Sequence, residues 1–235
     1  MGHGGRREIA LTASLIRWLR SSLATKSPLS RSSLRRHAPT PSCRSLAPSD
    51  IARKRAARGT SAQRLVAAAY AQVGVTLAYD PSYRRIAFPG GDVPLDRGVC
   101  SDVVVRAYRG IGTDLQRLVN DDMRQHFAAY PQLWGLAGPD PNIDHRRVAN
   151  LARFFARHGT TLAVSAAPQD YRPGDIVTWR LPGGIAHIGL VADRLVDGRP
   201  LIVHNIGAGA QLEDVLFAFT ITGHYRYLPE VARTQ

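Results

Sequence analysis

The stretch "AHIGLVADRLVDGRPLIVHNIG", residues 186–207, reads as two strands joined by a tight turn. Asp197-Gly198 supplies the left-handed residues that a two-residue hairpin turn demands, and apolar residues flank it on both sides. Each half carries a histidine, His187 and His204. If the turn centres on Asp197–Gly198, residue i faces residue 395 − i, so His204 lies opposite Val191. Side chains alternate with period two, so His187 shares the face of Val191 and hence that of His204. A longer, shifted loop with pairs summing to 391 sets the histidines directly opposite one another. Either odd register keeps both on one face. An even register separates them and makes Asn205 the neighbour of His187.

Working outward, "TLAVSA", "DIVTWRL" and "HYRYLP" are further short β-type runs separated by Pro, Gly and Asp. Helical patterns precede them. "TSAQRLVAAAYAQVG" has Ser61 as N-cap and Gly74 as stop; a second helix runs from Cys100 to Gly110. "DLQRLVNDDMRQHFAAY" closes at Pro131, and "DHRRVANLARFFARHG" places Val148, Leu151, Phe154 and Phe155 on one face before Gly159. Between them "PQLWGLAGPDPNI" is a loop with a buried-type Trp134. Helices first and an antiparallel sheet afterwards predict a two-layer α+β domain.

The formal charge of +13 suggests a nucleic-acid binder until the charges are located. Residues 1–58 hold 13 of the 31 basic and 2 of the 18 acidic residues, so +11 of the charge sits in this leader. Residues 59–235 are nearly neutral, which excludes a domain-wide basic face and, with it, nucleic acid as partner of the folded part. The leader is rich in Ser, Arg, Ala and Pro and cannot bury a core. Its "IALTASLIRWL", preceded by Arg6 and Arg7, is too short to span a membrane. It reads as a poor export signal, a disordered extension or a start placed too far upstream. The folded domain is expected from residue 59 to the end.

Two cysteines, Cys43 and Cys100, cannot make a disulfide scaffold. Cys100 opens a helix. The first amides of a helix point outward unpaired and carry about half a positive charge. They stabilise a thiolate and can hold the oxyanion formed when a carbonyl is attacked. A base is then needed, and a strand histidine suits it. Cys100, His187 and His204 are also zinc-binding types, but the close paired-ligand spacings are absent, so no metal or cofactor is expected. Asp102, two residues on, opposes ionisation of the thiol. Helical geometry turns it roughly 200° away, where it caps amides.

"GVCSDVV", "RPGDIVTW", "AHIGLV" and "LIVHNIG" together resemble the NlpC-type branch of papain-like cysteine peptidases. More narrowly, residues 79–227 are similar to a bacterial family known as domain of unknown function 1287, through "YDPSY", "GDVP", "RGVCSDVV", "NIDHRRV", "RPGDIVTW" and "HNIGAG". The resemblance implies a papain-like fold with Cys100 as nucleophile, His187 as base and His204 orienting it. It further implies cleavage of amide bonds in peptidoglycan stem peptides, in the periplasm or outside the cell. Tyr79 or Tyr83 would help to hold the oxyanion, Ser101 would contact substrate, and Arg146 or Arg147 would receive a substrate carboxylate. "NDDM" and "QLEDV" read as surface charge, and "GHYRY" as the strand that closes the sheet. The competing reading is a papain-like shell without catalysis that binds a cell-wall or protein ligand.

Overall fold

The computed structural model describes residues 59–229, so the leader expected over 1–58 lies outside the described residues. Four α-helices and a six-stranded antiparallel sheet form the domain, in keeping with the α+β expectation. Helix α1 is Ser61–Tyr70, α2 Cys100–Gly110, α3 Leu115–His126 and α4 Val148–His158. Strands β1 (Ala78–Tyr79) and β2 (Arg97–Gly98) form a small parallel pair. Strands β3 (Thr160–Leu162), β4 (Ile176–Arg180), β5 (Ala186–Val196), β6 (Arg199–His204), β7 (Gln211–Glu213) and β8 (Thr220–Arg226) make the main sheet, in the order β3-β8-β4-β5-β6-β7. Among the described residues no helix is long and apolar enough to cross a membrane.

Local chemistry sets the element ends. Thr60, not Ser61, caps α1: its hydroxyl accepts from Gln63 N–H while the Gln63 side chain accepts from Thr60 N–H. A reciprocal cap of this kind contributes about 1 kcal/mol. "DHRRV" does not enter α4 directly. Asp144–Arg146 is a 3₁₀ turn, Arg147 is extended, and the α-helix begins at Val148. The 126–130 segment likewise tightens from α3 into a 3₁₀ turn, Phe127–Ala129.

The hairpin turn falls where Asp197-Gly198 predicts, with φ of +49° and +77°. Register near the turn sums to 395, as in Val196–Arg199. An irregularity between Val191 and Leu195 then shifts it to 393, as in Leu190–Val203. The observed register lies between the two odd alternatives and keeps both histidines on one face. Gly189 makes this possible: a methyl group there would sit 3.2 Å from His204 Cβ and 2.6 Å from Ile202 Cγ2.

Apolar side chains fill both faces of the sheet. On one, Ile176, Ile188, Leu190 and Val203 pack with the helices, including Leu65, Val104, Tyr108, Leu151 and Phe155. On the other, Val177, Trp179, Val191 and Ile202 pack under Tyr171 and Leu216. Helix α2 is buried on all sides from Cys100 to Tyr108, so its polar residues must be paired. Arg106 meets that requirement with Asp92 at 2.9 Å and the carbonyl of Arg97 at 3.0 Å, which fixes the loop leading into Cys100.

Candidate active site

Cys100 stands at the first turn of α2 with its side chain buried against the sheet. Burial pushes its thiol up to about 12, and the Asp102 charge pushes the same way. The backbone N–H groups of Ile188, Ser101 and Cys100 itself oppose that rise by facing the sulfur. The thiol therefore reaches the sheet at the amide next to His187.

The imidazole of His187 lies on the face of Trp179, whose ring packs 5.7 Å from it. Its Nε2 is 3.0 Å from Nδ1 of His204, and Nε2 of His204 is 2.9 Å from Glu213 Oε2. Hydrogen-bond logic assigns the protons. A carboxylate only accepts, so His204 donates from Nε2; when that ring carries a single proton, its Nδ1 accepts. His187 must then donate from Nε2, which leaves its Nδ1 with the lone pair. Burial and the neighbouring His204 hold His187 well below the ordinary histidine range, so it is neutral near pH 7. Among the described residues no hydrogen bond joins Cys100 to His187: the imidazole shares the face of Trp179 and Val191, whereas Cys100 packs on the face of Ile188 and Leu190.

Three expectations are corrected here. Asn205, the alternative partner of His187, points elsewhere: its Nδ2 donates to Gly98 O at 2.9 Å and ties β6 to the residues before Cys100. Arg146 does not await a substrate carboxylate. It is buried, with Nε 2.8 Å and Nη2 3.0 Å from the two oxygens of Asp102, so its fork is already occupied. The Ser101 hydroxyl is likewise engaged, donating to the Arg146 carbonyl inside the core.

The cap role expected of Asp102 is present, its Oδ2 accepting from Val99 N–H at 2.7 Å. Tyr79 pairs in register with Gly98, two residues before the thiol, whereas Tyr83 is exposed and donates to Asp140. Trp134 is 39 % exposed rather than buried and carries the Arg147 guanidinium 4.0 Å above its ring. Glu213 was missed. Its position two residues before Val215 in "QLEDV" gave it the look of surface charge, and only the β6–β7 pairing brings it to His204.

His145, beside Arg146, is also buried, and burial and the Arg146 charge hold it at about 4. The unfolded chain binds a proton near pH 6.5 while the folded chain does not. Stability must therefore fall as the pH drops below about 6.5 and keep falling to about 4, by roughly 3 kcal/mol from this group. Urea unfolding at pH 7 and pH 4.5 checks this, and His145→Phe should flatten the difference.

A protein-family model described as domain of unknown function (DUF1287) matches residues 66–227. An Escherichia coli (strain K12) relative, "Uncharacterized protein YijF", is 60% identical over 157 residues, covering 66% of this chain and 77% of the relative. The matched span holds the thiol, both histidines, Glu213 and the Asp102–Arg146 pair. The chain belongs to the family described as domain of unknown function 1287.

Proposed function

We propose that this chain is a papain-like cysteine hydrolase that cuts amide bonds, with peptidoglycan stem peptides as substrate and the periplasm as its place of action. The observation that carries the reading is the Glu213–His204–His187 chain, which leaves Nδ1 of His187 with its lone pair, one residue along the strand from the Ile188 amide that meets the thiol but on the opposite face of the sheet. A buried chain of this kind is costly unless every member is satisfied, and its order suits proton transfer.

The raised thiol replaces the expected ready-made thiolate with a neutral pair. The reaction requires Sγ and His187 Nδ1 to come to hydrogen-bond distance, so the imidazole has to turn from the Trp179 side of the sheet to the side that carries Cys100. Nδ1 takes the thiol proton as the S–C bond forms. The amides of Cys100 and Ser101 hold the oxyanion. The imidazolium then returns the proton to the departing amine. A water molecule, deprotonated by Nδ1, cleaves the thioester and restores the thiol.

The second reading is the non-catalytic shell, favoured by the burial of Cys100 and the missing thiol–imidazole hydrogen bond. Incubating purified peptidoglycan with wild type and Cys100→Ala, and weighing the released fragments by mass spectrometry, separates the two. New fragments from wild type alone are expected. A folded wild type that releases none and whose Cys100 resists iodoacetamide overturns the hydrolase reading.

A further inference from the structure

With Arg146 committed to Asp102, a substrate carboxylate needs another cation. Arg180 ends β4 and is exposed. It follows Trp179, which packs on His187, and pairs in register with Ala186, the residue before His187. By strand alternation it shares the face of Ile188, the residue two along from Ala186 whose amide meets the Cys100 thiol, and lies on the other face from the His187 ring. Among the described residues no carboxylate forms an ion pair with it. Arg106, Arg146, Arg157 and Arg226 each sit on an aspartate, whereas Arg180 shares its lack of an ion pair with exposed arginines such as Arg153 and Arg172 and differs from them in lying at the end of β4.

Arg180 lines a cleft of about 590 Å³ together with Leu181, Phe217, Phe219 and Thr220, and no described lining residue is acidic. Phe217 is 38 % exposed, an aromatic surface left open beside an unpaired guanidinium. A shallow, open cleft of mixed polar and apolar lining, with two phenylalanines and one cation, suits a peptide that lays an apolar side chain beside a single carboxylate. Arginine holds a carboxylate through two parallel hydrogen bonds, which fixes orientation as well as position.

Resting on the hydrolase reading above, we propose that Arg180 and this cleft anchor the free carboxylate of the peptide substrate and so set which amide bond lies at Cys100. The site selects peptides by a negative end group near the scissile bond. It discriminates against the same peptide with that end amidated.

Binding tests this without requiring turnover. The probe is a synthetic stem-type pentapeptide of alternating L- and D-residues with a free C-terminal carboxylate, compared with its C-terminal amide. Titration calorimetry against Cys100→Ala protein should show the acid binding at least tenfold more tightly than the amide. Adding Arg180→Gln should abolish that preference, and Arg180→Lys should keep part of it. A preference that survives Arg180→Gln, equal binding of acid and amide, or no binding of either by folded protein overturns the assignment. If the Arg180-dependent preference is found while wild type releases no fragments from peptidoglycan, the anchor stands and the hydrolase reading falls. If fragments are released equally by wild type and Arg180→Gln at every substrate concentration, the reverse holds.

Discussion

Arg146→Met is expected to cost 3–5 kcal/mol of folding stability, about the penalty for stripping one partner from a buried ion pair. Arg146 and Asp102 are almost fully shielded from water, at 2% and 3% side-chain exposure. The guanidinium spans both carboxylate oxygens and also reaches the carbonyls of Ser82 and Asp80 at 3.3 and 3.4 Å. Its own carbonyl accepts from Ser101. Arg146 thus joins the Tyr79–Tyr83 loop, the 3₁₀ turn before α4 and the start of α2 in one place. Without it, the Asp102 charge stays buried two residues from Cys100, with Val99 N–H as its remaining partner. Native stabilities of 5–15 kcal/mol leave little margin for that loss. Asp102→Leu alone should cost a similar amount, while Asp102→Leu with Arg146→Met should cost far less than the two together. Urea unfolding monitored by tryptophan fluorescence measures all three. Additive losses would mean that the pair acts as two separate anchors rather than as one buried unit.

The pair also marks where sequence reading runs out. Local signals carried the elements. The Cys100–Gly110 helix, the Asp197-Gly198 turn, a strand through "GHYRY" and the shared face of the two histidines follow from periodicity and turn chemistry. The "GHYRY" strand, however, starts earlier, at Thr220, and lies between β3 and β4 instead of closing the sheet. The failures are non-local. Arg146 and Asp102 are 44 residues apart, and nothing near either one announces the other. Glu213 sits in a three-residue edge strand too short for a period-two pattern to register. Even the register was bracketed rather than found, because the shift between Val191 and Leu195 leaves no mark that alternation can detect. Trp134 misled for a related reason: an indole can lie open to solvent when a cation, here Arg147, covers its face.

Graded substitution along the proton chain should give losses that shrink with distance from the thiol. His187→Ala removes the base and should lower kcat by 10³–10⁴, the upper part of what a positioned proton acceptor supplies. His204→Ala leaves His187 Nε2 without its acceptor at 3.0 Å, so the ring can hold its proton on either nitrogen and rotate. A loss of about 10² in kcat, with KM little changed, is expected from the wrong tautomer and orientation. Glu213→Gln keeps the shape and can still accept from His204, or can turn its amide and donate instead; about tenfold is expected. The pH profile separates a proton chain from a structural prop. Glu213 favours a positive charge on the chain, so its removal should move the acidic limb of kcat to lower pH. A prop would instead lower the melting temperature and leave both kcat and its acidic limb in place. Peptidoglycan fragment release across pH 5–9, read beside thermal unfolding of the same three variants, decides between them. Equal activity in wild type and His187→Ala would remove the chain from catalysis altogether and leave the Glu213–His204–His187 bonds as a strut between β5, β6 and β7.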